Sequence, residues 1–186
     1  LFAALLGAMS ITSEIRYGTI RPTLLAEPRR TRVIAAKVGA GVLAGALLGL
    51  FAEALTGAVE SSGLAMRGIP ITFNAGDLAQ LLAGGAAGAA LFAAIGVGAG
   101  AIIRTQVGAV VGMCVWLLLI ETTLIGNVPS AGKFAPGASA GALAGAIQTQ
   151  TATKLLAPGL GALLLVIYAA VAVGAGALTT ARRDIG

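Results

Sequence analysis

Residues 78–103 read LAQLLAGGAAGAALFAAIGVGAGAII, an apolar run without a single charged side chain. A hydrocarbon core of about 30 Å takes about 20 helical residues at about 1.5 Å each, so this stretch is long enough to cross a bilayer. Three further runs qualify, at 34–59, 107–125 and 159–179, and residues 1–11 read as the truncated tail of a fifth. The sequence opens on Leu in mid-run, which reads as a fragment without its true N-terminus.

Composition agrees with that reading. Of 186 residues 58% are hydrophobic and 10% charged, with 28 glycines, and the mean hydropathy is +0.97. Water-soluble domains carry about 25% charged residues. The fold class expected is therefore an all-α integral membrane protein, a polytopic helical bundle. With no histidine and only Cys114, the chain lacks material for imidazole acid–base catalysis, a zinc cluster or a disulfide framework. No GxxxxGK[ST] loop occurs, so ATP is not expected to bind this chain, and no enzyme activity, metal or bound cofactor is expected of it.

The net charge of +5 does not point to nucleic acid, because the basic residues are distributed by loop. Arg16, Arg21, Arg29, Arg30, Arg32 and Lys37 fall between the first two apolar runs, Arg104 in the next short turn, and Arg182 and Arg183 at the C-terminal end. Intervening loops hold only Arg67, Lys133 and Lys154. The positive-inside rule then places the richer set and the C-terminus in the cytoplasm, and segments 60–77 and 126–158 outside. Nine of the twelve basic residues are Arg, and Ala and Gly abound, a bias that fits a GC-rich bacterial genome and hence a bacterial cell membrane.

Local signals refine the layout. Arg104-Thr105-Gln106 is short enough to make the flanking spans antiparallel neighbours, and Asp77 with Gln80 has the form of a capping box. Residues 138–148 are apolar but too short to cross, which predicts an outer-face or re-entrant helix entered through Pro136-Gly137 and left through Pro158-Gly159. Small residues recur at four-residue spacing: Gly41, Gly45, Gly49; Gly84, Gly88; Gly96, Gly100; and Gly108, Gly112. Such stripes let helices approach closely in lipid, either within one subunit or at a dimer face.

The segment 13–37, SEIRYGTIRPTLLAEPRRTRVIAAK, carries the chemistry-bearing residues. Pro22 and Pro28 break any continuous helix, so a short helix over 20–26 on the membrane's inner face is expected. Apolar at Ile20, Leu24 and Leu25 and ringed by Arg and Glu, it suits a groove on a soluble partner. The alternative is a solvated loop whose arginines set orientation and meet anionic headgroups.

The order Glu14, Gly18-Thr19, Leu24-Leu25, Pro28, Arg30, Lys37 resembles the E…GT…LL…P…R…K signature of type-2 ABC exporter permeases, the ABC-2 family. Phe134-Ala135-Pro136-Gly137 is similar to that family's outer Leu-Pro-x-Gly-type element, and Arg104 and Arg182-Arg183-Asp184 fit its later turns. The resemblance implies six spans per subunit, of which about five are present, and a coupling helix in loop 12–33 that contacts a separate ATP-binding subunit. Partners implied are that ATPase, holding ATP and Mg, and a second permease chain in a homodimer or heterodimer. The residues implied in ATPase contact are Glu14, Gly18, Thr19, Ile20, Leu24, Leu25, Pro28, Arg29, Arg30, Arg32 and Lys37. Glu14 and the Arg29–Arg32 cluster would pin the loop by charge-assisted contacts with the partner or with each other.

Glu53 and Glu121 lie inside candidate spans, where ionisable groups are functional candidates. Their depth predicts snorkelling or an outer-vestibule lining, and allows a shared site. Trp116, mid-span, reads as packing or pore-lining. An ATP-independent reading, a proton-coupled carrier using the two glutamates or a non-transporting membrane scaffold, stands beside the exporter.

Overall fold

The computed structural model describes residues 1–19, 22, 25, 29–68, 74–145 and 155–182, with 30, 181 and 182 described by backbone alone. Among the described residues every regular element is helical. We number them α1 (Phe2–Arg16), α2 (Arg30–Met66), α3 (Ala75–Ile103), α4 (Gln106–Cys114), α5 (Glu121–Asn127), α6 (Pro129–Gly132), α7 (Pro136–Leu143) and α8 (Pro158–Arg182), with a π-helical segment Val115–Ile120 joining α4 to α5. Among the described residues four helical stretches are long and apolar enough to cross a membrane: Thr31–Met66, Ala75–Ile103, Gln106–Asn127 and Pro158–Thr180.

α2 runs past both ends of the expected span. Its 37 residues make a rod of about 55 Å. The serines that could have opened a loop instead fold back on the helix, Ser61 Oγ donating to the Ala58 carbonyl at 3.0 Å and Ser62 Oγ to Val59 at 2.8 Å. The helix stops just before Gly68, whose φ of 67° is left-handed.

The start of α3 corrects the expected capping box. Asn74, not Asp77, is the N-cap: its Oδ1 accepts from the Asp77 amide at 2.9 Å, and its own amide donates to Asp77 Oδ2 at 3.3 Å. Asp77 thus sits at N3, where a carboxylate closes the box and meets the positive helix end, and Gln80 has no part in it. α3 ends at Arg104, held at φ 61°, the one positive-φ residue other than glycine among the described residues.

α3 is the central helix. Half of its apolar window is buried, against 17% for Gln106–Asn127, and Phe92 and Ala93 join Ala3, Ala4, Met113 and Leu165 in the core. The glycine stripes explain the close packing. A Cβ on Gly45 would lie 2.8 Å from the Ala89 carbonyl oxygen, and one on Gly100 2.6 Å from that of Ala8. Gly7 and Gly96 meet the carbonyls of Ala93 and Ala4 still more tightly. These stripes therefore serve packing within the chain. Gly108 and Gly112 meet side chains rather than backbone: Thr105 of the adjoining turn and Ile103 at the end of α3. α4 packs on α1 as well as on α3.

α7 is the short helix expected after Pro136, which occupies its first turn. It lies against α3 and α8: Gly88 faces Ala140, Gly84 meets Leu143 and Ala144, and Gly161 of α8 meets Ser139 and Ala142. Its numbering rises as that of α3 falls, so the two helices run antiparallel. The helix ends at Leu143, short of the expected 148, in a turn closed by Gly145 at φ 72°, and residues 146–154 lie outside the described residues.

Candidate functional site

Arg16, Arg29, Arg32 and Arg104 fall at one end of the bundle because α1 and α3 finish there and α2 and α4 begin there. At this basic end α1 is tied to two other elements. Lys37 Nζ donates to Glu14 Oε1 at 2.7 Å and to the Ser10 carbonyl at 2.8 Å, joining α2 to α1. Arg16 Nη1 donates to Gln106 Oε1 at 2.8 Å, joining α1 to the first residue of α4. The Arg16 guanidinium also lies 5.7 Å from the Tyr17 ring centroid, within cation–π range.

Between these ties the chain leaves α1 through a turn. Gly18 has φ 72°, and the Thr19 hydroxyl reaches back to the Glu14 carbonyl at 3.5 Å. Of the expected short helix over 20–26, Pro22 and Leu25 are described, both helical and exposed, Leu25 at 84%. Ile20, Leu24 and Pro28 lie outside the described residues, as does the side chain of Arg30. Lys37 pairs with Glu14, a pairing the sequence had not singled out. The reason is geometric: Lys37 lies two turns inside α2, on the face that packs against α1, so a 2.7 Å contact needs no loop rearrangement.

No protein-family model, curated protein or solved structure matches this chain. Its functional reading therefore rests on these residues and their geometry. Gln106 and Ser10 had no sequence signal, since a contact 90 positions apart such as Arg16 to Gln106 follows only from the packing of α1 on α4.

The two glutamates in candidate spans have different surroundings. Glu121 is 3% exposed, which corrects the expectation of a snorkelling or vestibule-lining carboxylate. Its Oε1 accepts from the backbone amides of Gly137, in a short contact, and Ala138, at 3.2 Å. It caps the N-terminus of α7 from a separate helix, and the helix dipole favours the negative charge there. Tyr168 supports the same corner by donating its hydroxyl to the Phe134 carbonyl at 3.0 Å.

Glu53 lies instead over Gly85, where a Cβ would come 2.6 Å from its Oε1. It lines a cleft of about 460 Å³ formed mainly by α2, α3 and α7, with the start of α1 at one side. Glu121 does not line this cleft. Trp116 does not line it either. It is 45% exposed in the π-helical segment beside Leu118, Leu119 and Ile120, on the outside of the bundle. Among the described residues no group of three acidic or cysteine side chains could hold a metal ion.

Proposed function

We propose that this chain is the membrane-spanning permease subunit of an ATP-binding-cassette exporter, a polytopic helical bundle that converts ATP hydrolysis on a separate subunit into movement of its helices. The observation that carries the reading is the pinned basic end. The loop after α1 exposes Leu25 and carries a basic cluster, while its base is fixed to α2 by Glu14–Lys37 and to α4 by Arg16–Gln106. A force applied to that loop passes into three helices rather than being absorbed by slack chain.

The basic end is placed in the cytoplasm, because short loops rich in Lys and Arg stay on that side. A nucleotide-binding subunit docks there, with Leu25 as an apolar anchor and Arg29, Arg30 and Arg32 as charge-assisted contacts. Two permease chains, identical or paired with a second gene product, complete the transporter. α7 lies on the outer side as a re-entrant element, held by Glu121 and packed against α3 and α8. Glu121 then serves as a structural cap and no longer favours a proton relay through paired glutamates.

The test is copurification in detergent of the tagged, full-length protein with the ATP-binding-cassette ATPase encoded beside it. A stoichiometric complex, lost on R29E/R30E while membrane insertion is unchanged, is the expected result. A chain that always purifies without an ATPase overturns the proposal.

A further inference from the structure

The 106–127 stretch changes its winding part-way: Val115–Ile120 is π-helical between α4 and α5. A π turn closes i→i+5 where an α turn closes i→i+4, so the stretch takes up one residue more than an α-helix would. Each α-helical residue turns the chain by about 100°. Carried on from Ala109 in unbroken α winding, Ile120 falls about 20° from the direction of Ala109 and Glu121 about 120° from it. With one residue absorbed, Glu121 takes the direction that Ile120 would have had. The side chains agree. Ala109 and Met113 are buried, Leu117 packs on the core that holds Met113, and Glu121 is buried one turn on, while Ile120 is exposed. The π-helical segment is therefore what aims Glu121 at the Gly137 and Ala138 amides of α7.

The same sequence carries a second register. Unbroken α winding puts Ala109, Met113, Trp116, Ile120 and Leu124 on the line now held by Ala109, Met113, Leu117, Glu121 and Ile125. That alternative line is apolar throughout, whereas π winding is rare and recurs at functional sites. What selects the π register here is the grip of Glu121 on α7. We propose that Val115–Ile120 is a rotary joint. With Glu121 on α7 the segment stays π-helical; when that cap is lost it rewinds to α, turns the chain beyond it by about 100° and puts Ile120 in the place of Glu121. The other end of the stretch stays fixed, because Gln106 is tied to Arg16 of α1. Displacement of α7 is thereby converted into rotation of α5. The inference does not rest on the permease reading, since the register belongs to the chain alone.

The test is a nitroxide scan of the full-length protein in lipid nanodiscs. In a Cys114→Ser background, single labelled cysteines are placed in turn at 116–120 and 122–125, and collisional access to oxygen is measured at each. With Glu121 present the minima are expected at 117 and 125, the π register. Glu121→Leu should move them by one residue, to 116, 120 and 124. Deletion of Leu118 gives a second variant: with the additional residue gone, plain α winding points Glu121 at α7. Hydrogen exchange at the Gly137 and Ala138 amides should then stay as slow as in the wild type. Minima that remain at 117 and 125 in Glu121→Leu, or fast exchange at those two amides after the deletion, overturn the proposal. Should Glu121→Leu fail to fold, the deletion decides.

Discussion

Replacing Gly100 by Ala isolates the packing that holds α1 to α3. An added Cβ would sit 2.6 Å from the Ala8 carbonyl oxygen and 3.0 Å from its Cα. Ordinary contact begins at 3.4 Å, and both obstacles are backbone, so no rotamer change relieves them. α1 has to withdraw by somewhat under about 1 Å, and the same helix is already in tight contact through Gly7 and Gly96. Overpacking of this kind costs about 1–3 kcal/mol. Alanine returns up to about 1 kcal/mol through its better helix propensity. The net expectation is a loss of up to about 3 kcal/mol, and of about 1–3 kcal/mol relative to an unobstructed Gly→Ala exchange in the same kind of helix. Gly57→Ala supplies the control, since nothing lies within 4 Å of its Cβ position, and it should be neutral or stabilising by up to about 1 kcal/mol. Thermal unfolding of the two variants in one detergent is the assay. If Gly100→Ala proves as stable as Gly57→Ala, the account of α1–α3 packing is wrong.

Removal of the remote cap by Glu121→Ala should cost about 1–2 kcal/mol and speed hydrogen exchange at the Gly137 and Ala138 amides; Glu121→Gln, which keeps an accepting oxygen, should lose less. A double-mutant cycle on Glu14→Ala and Lys37→Ala is expected to return a coupling of about 1 kcal/mol by detergent unfolding, and additivity would remove the tie between α1 and α2. Arg104→Gly should raise the unfolding temperature, since the left-handed φ of 61° costs an L-residue about 1 kcal/mol that glycine avoids; a lower temperature would mean that the Arg104 side chain makes a contribution larger than the backbone strain.

What was legible in the sequence was whatever depends on local composition. The apolar run at 78–103 became α3, and Pro136 opened α7, because span length and proline chemistry are written residue by residue. The N-cap at Asn74 was displaced three residues from the expected Asp77, since an acidic side chain at N3 and one at the N-cap give similar patterns. Ends of α2 were also misplaced, because Ser61 and Ser62 are as content bonding back into a helix as leaving it. For the candidate site, the residues were legible but not their pairings. Glu14 and Lys37 were both singled out, yet that they meet each other depends on how α1 crosses α2. Glu121 stood out as an intramembrane carboxylate, but its two amide partners come from a helix sixteen and seventeen positions onward. The π-helical segment at Val115–Ile120 had no signal, being a register change in a uniformly apolar stretch.

The most direct test of the central proposal is a crosslink from the basic loop. In a Cys114→Ser background, Leu25→Cys is paired with single cysteines placed along the surface of the neighbouring ATP-binding subunit, in membranes, with and without ATP. The account predicts a crosslink confined to one groove of that subunit, with a yield that changes on ATP binding and is lost in R29E/R30E. Uniform labelling of Leu25→Cys by a membrane-impermeant thiol reagent from outside the cell, with no crosslink to the ATPase, would contradict it.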